Sequence, residues 1–112
     1  MTVTSKVLVQ GKRVENAQTT QYTSTNCKTI IDTATIVNTT AAPVTLSVNV
    51  VESGGAAGAA NLVIDGASIA AHGTYLCPEL AGKRLDASDF VSMIAGAANS
   101  LTLRMEGRQV TS

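Results

Sequence analysis

The chain has 112 residues, 45% of them hydrophobic but only 3% aromatic, with no Trp and a formal charge of zero. That length allows one domain with a real core and not two. A balanced charge argues against a basic nucleic-acid footprint, which needs many Lys and Arg on one face, and no stretch approaches the ~20 apolar residues of a membrane helix.

The N-terminus lacks an apolar run after a basic start, so it does not read as a signal peptide. Residues 4–10 form a β-prone segment ending at Gly11. Lys12 to Gln21 is polar and without period, and reads as a loop or extended arm. The expected division is therefore an N-terminal strand and arm over 1–21, followed by a domain over 22–112. From Tyr22 to Val37, Thr, Ile and Val dominate, as suits a pleated, half-covered surface. Both faces of residues 30–37 carry apolar side chains, which implies a central strand or a bulge partway along.

After a turn at 38–43 comes the clearest element. Val44, Leu46, Val48 and Val50 point one way and Thr45, Ser47 and Asn49 the other, a half-buried strand with one wet face. Residues 28–51 together look like a hairpin. Ser53 to Ala60 is a low-complexity Gly/Ala loop, either an idle connection or a tip whose small residues allow close approach. Residues 62–64 and 68–70 read as two short strands around an Asp65-Gly66 turn. Residues 73–77 read as another, halted by Pro78, which cannot donate to a ladder. Residues 79–89 are ambiguous. Residues 90–94 are better read as strand than helix, because β-branched and aromatic residues cluster there, and Phe90 is assigned to the core. Leu101 to Glu106 alternates cleanly, and Gly107 is a candidate bulge. Short strands at regular spacing between turn signals indicate an all-β sandwich.

Each reactive constellation lacks a partner. His72 is the only histidine, so a hydroxyl nucleophile has one imidazole to draw on, and it sits in a turn-like Ala-Ala-His-Gly. Asp86 and Asp89 read as turn carboxylates accepting local N–H groups rather than an acid/base pair or calcium site. Cys27 and Cys77 read as buried thiols or a single bridge, with no zinc-binding spacing. No cofactor or metal is expected, and catalysis is not. Lys12-Arg13 and Lys83-Arg84 are short doublets, not a stripe. What remains is binding through surface and backbone, including open sheet edges that can accept a strand.

The order Thr20-Gln21-Tyr22, Lys28 to Asp32, Val37 to Thr40 and Pro43 to Val48 resembles small structural proteins of tailed-bacteriophage virions. So do Gly73-Thr74-Tyr75, Pro78-Glu79-Leu80, Leu85 to Val91 and Ser100 to Gly107. The resemblance spans roughly residues 20–110 and is a pattern of strands and turns without a catalytic motif. It implies a jelly-roll-like or immunoglobulin-like sandwich in the particle. It further implies a non-enzymatic decoration (cement or staple) protein, assembled in the host cytoplasm, that self-associates in many copies and bridges major capsid subunits or other virion proteins. Candidate contacts are Lys12, Arg13, Gln18 and Gln21 in the arm and Gly54, Gly55 and Gly58 in the loop. The alternatives are a neck, tail or baseplate accessory protein and a carbohydrate-binding sandwich; few aromatics weigh against the last.

Overall fold

The computed structural model describes residues 2–111, and strands account for most of them. In chain order they are β1 (Thr2–Arg13), β2 (Thr19–Thr23), β3 (Lys28–Asn38), β4 (Val44–Val51), β5 (Leu62–Ile69), β6 (Thr74–Tyr75), β7 (Arg84–Leu85), β8 (Phe90–Ala95) and β9 (Leu101–Thr111). Sheet A has the order β1-β9-β3-β6, with β7 also on β3; sheet B has the order β2-β8-β4-β5. All pairings are antiparallel. The first strand pairs with the last, the second with the penultimate, β3 with β6 and β7, and β4 with β5. A ribbon wrapped in that nested order is a jelly roll. The expected all-β sandwich is therefore present, in the first of its two expected topologies.

Aliphatic side chains fill the space between the sheets. Ile31, Ala34, Ile36, Leu101, Leu103 and Met105 of sheet A meet Leu46, Val48, Ile64, Val91 and Met93 of sheet B, and Leu80, Leu85 and Cys77 join them from the connections. Burying each large one contributes roughly 1.5–3 kcal/mol. Phe90 is not among them. It is half-exposed and pairs with Val51 on the outer side of sheet B, so its expected core position is corrected. The strand's inward parity belongs to Val91, Met93 and Ala95 instead.

β3 is both a central strand and bulged. Thr29 and Ile31 are buried, then Ala34, Ile36 and Asn38, and the parity flips at a register shift between Ile31 and Thr33. One extra residue reverses which side chains face inward. A matching shift lies between Val7 and Val9 of β1. β9 runs straight between the two. The bulge expected at Gly107 therefore sits on its neighbours, and Gly107 is the residue they close upon. A Cβ there would overlap the Ile30 carbonyl oxygen and stand 3.0 Å from Leu8 Cδ1.

Three further expectations differ. Residues 28–51 are not a hairpin: β3 and β4 lie in opposite sheets, joined by a corner that Asn38 organises. Its fully buried amide donates to the carbonyls of Ala42 (2.9 Å) and Ile69 (3.0 Å) and accepts from the Thr40 N–H (2.9 Å). Residues 62–69 form one strand, not two. Gly66 (φ 64°) takes a left-handed conformation in a bulge, and its N–H donates to Ser47 Oγ at 2.9 Å. The segment 12–21 is not a free arm either. Lys12 and Arg13 complete β1, Val14 is fully buried, and β2 crosses the expected boundary between residues 21 and 22. Its lack of period reflects a chain that changes sheets and does not continue one face.

Candidate interaction surface

Two of the expected contact segments meet on the outer side of sheet B. β4 and β8 pair Asn49 with Ser92 there. Gln18 reaches in from the β1–β2 connection, its Nε2 donating to Ser92 Oγ (2.8 Å) and Asn49 Oδ1 (3.2 Å). From the other side Asn49 Nδ2 donates to the Gly58 carbonyl (2.9 Å) and to Asn61 Oδ1 (2.6 Å). Asn61 closes the loop on itself, donating to the Ala56 carbonyl (2.9 Å) and accepting the Gly58 N–H (3.0 Å). Asn49 and Ser92 are each only 3% exposed. Buried polar atoms with every partner in place hold a surface rigid.

The Gly/Ala loop consequently lies flat. Gly54 turns it (φ 82°), and the Gly55 N–H donates to the Glu52 carbonyl at 2.9 Å. A Cβ at Gly55 would approach Val51 Cγ1 to 3.3 Å, so the loop covers Val51, which is 1% exposed. Shallow grooves flank it. One of about 470 Å³ runs between the loop and β5, bordered by Val51, Gly55, Ala56, Ala60, Leu62 and Val63. The other, about 180 Å³, is bordered by Gln18, Asn49, Ala57, Gly58 and Leu62.

The other arm residues hold the fold's end together. Arg13 donates to Thr39 Oγ1 (2.5 Å) and the Asn99 carbonyl (3.0 Å), and Lys12 pairs with Glu15 at 3.2 Å. Gln21 Nε2 donates to Glu15 Oε1 at 3.0 Å, which holds that carboxyl below its usual pKa. Of the seven expected contacts, then, Gln18, Gly54, Gly55 and Gly58 share one surface, while Lys12, Arg13 and Gln21 serve corners. Asn49, Asn61 and Ser92 were missed. Asn49 sits at a wet position of the alternation and reads as solvent-facing; the one signal was a second Asn closing the glycine loop.

Charge is sorted between the layers. Every Lys and Arg except Lys83 lies in a strand of sheet A, where Arg108 pairs with Asp32 (3.0 Å) and Arg104 with Glu106 (2.8 Å). The strands of sheet B carry Asp65 and no other charged residue. Compared with known proteins, the chain matches no family model, no curated protein and no solved structure.

His72 occupies an exposed turn at φ 57°, its N–H donating to the Thr40 carbonyl. The Asp89 carboxylate accepts the backbone N–H groups of Ser53 (2.9 Å) and Asp86 (3.0 Å). Both cysteines are buried and free. Burial, then the charge of Glu79, pushes the Cys77 thiol up to about 12. The Tyr75 hydroxyl donates to Glu79 Oε1 at 2.6 Å, which raises the phenol to about 12 and lowers the carboxyl. Among the described residues no three His, Cys, Asp or Glu side chains are grouped to hold a metal ion.

Proposed function

We propose that this protein is a non-enzymatic structural component of a virion, a decoration protein that bridges neighbouring major capsid subunits, and that it docks through the outer side of sheet B. The observation that supports this reading is the joining of Gln18 to the Gly/Ala loop through Asn49 on a nearly uncharged sheet face. Such a face packs against a subunit without stranding buried ions, whose desolvation is costly. A loop already pinned by hydrogen bonds loses little further freedom on docking. Many weak copies then act together on a lattice, so no single site needs high affinity. The strand-and-turn resemblance to phage structural proteins points to the same use.

Copy number decides the matter. Quantitative mass spectrometry of purified particles should find copies comparable in number to the major capsid subunit, and particles lacking the protein should lose their genome at lower temperature. Gly58→Arg, at an extended position with open space around it, should leave the fold intact and empty the particle of the protein. A handful of copies would place it at the neck or tail instead. None would end the virion reading.

A further inference from the structure

We infer that the N-terminal half of β1 is a self-pairing edge, through which two copies of this chain join their A sheets antiparallel about a two-fold axis at Ser5. Among the described residues, three of the four sheet edges carry devices that block strand addition. β2 is five residues long and shifts register between Thr20 and Tyr22. β5 is interrupted at its middle by the bulge at Asp65–Gly66. β6 and β7 have two residues each. β1 alone offers an uninterrupted run, Thr2 to Val7, each residue in register with β9 before the first shift.

That run stands clear of sheet B. Thr2 to Lys6 are all exposed, on both faces of the strand, and Val3 is 53% exposed, one of two large apolar side chains so open to solvent among the described residues. Lys6 selects the register and leaves the edge open. An axis at Lys6 would set like charges directly opposite, which is penalised. An axis at Ser5 sets Val3 against Val7 of the second copy, Thr4 against Lys6, and Ser5 against Ser5. Residues of equal parity then share a face, as pairing requires. A six-residue edge buries less than the ~1,200 Å² of a stable interface, so the dimer is a weak one, suited to a crowded assembly.

The isolated chain tests this, so absence from virions would leave the inference standing. Sedimentation should show reversible dimers of the wild type at up to ~1 mM. Ser5→Lys should weaken them roughly fivefold, and mixing Ser5→Lys with Ser5→Glu should restore them. Opposed Cα atoms in an antiparallel pair lie about 4.5–5.5 Å apart, within disulfide reach. Ser5→Cys should therefore cross-link about tenfold faster than Ser68→Cys on the bulged β5 edge; Cys27 and Cys77 are buried and stay out of the reaction. A wild type that remains monomeric, an unaffected Ser5→Lys variant, or equal cross-linking rates would overturn the proposal.

Discussion

Sheets A and B share one aliphatic core but solve their outer faces in opposite ways. Sheet A is long, with strands of 11 and 12 residues, and its exposed side chains include paired ions. Sheet B is shorter, and at the middle of its outer side the amide of Asn49 and the hydroxyl of Ser92 are buried beside a small-residue loop. Exposed ion pairs keep a face soluble at little gain in stability. Buried, fully partnered amides instead set a shape, and losing one partner strands the others. On the proposed reading, sheet A keeps solvent against its face, and sheet B is the face that loses it on docking.

The largest expected effect tests whether sheet A depends on its backbone or on its charges. Gly107→Val places atoms against the Ile30 carbonyl, which cannot rotate away; a loss of about 3 kcal/mol or more is expected by chemical denaturation. On sheet B, Asn49→Leu should cost about 2 kcal/mol, because Gln18 Nε2, the Gly58 carbonyl and Asn61 Oδ1 each lose a partner. It should also open residues 52–61 to limited proteolysis. A loop that stays resistant would mean the amide network is not what holds it.

Cys77 sharpens the comparison at the rim of sheet A. Its thiol keeps its proton in the fold up to about pH 12, while an unfolded thiol loses it near pH 8.5. The native state therefore binds more protons above pH 9, and stability must fall as pH rises from 9 towards 12. By pH 10 the loss should reach about 2 kcal/mol relative to pH 8, and thiol reagents should label Cys77 at pH 8 only on unfolding. The smallest effect belongs to the ions. Arg108→Ala should cost below about 1 kcal/mol, with the cost shrinking in high salt.

Much of this architecture was legible because strand periodicity is local. Val44, Leu46 and Val48 announce an inward face whatever they pack against, and Leu101, Leu103 and Met105 do the same. The low aromatic content implied an aliphatic core, and Asp89 behaves as the turn carboxylate its neighbours suggested. Two candidate segments, around Gln18 and Gly58, belong to one surface. Their meeting could not be read, since they approach through Asn49, 31 residues from one and 9 from the other.

What residues alone determined was the class of object: alternating apolar side chains, Gly and Pro punctuation and balanced charge leave a single β-sandwich as the way to bury the chain. The tertiary structure decided which strands are neighbours. Alternation tells a side chain which side is dry, but it is silent on the sheet to which a strand belongs, so β3 and β4 look like a hairpin until the corner at Asn38 separates them. It also decided where charge lies, because a sum of zero over the chain holds no information about two faces. Long-range pairing sorts the cations onto one layer and leaves the other bare.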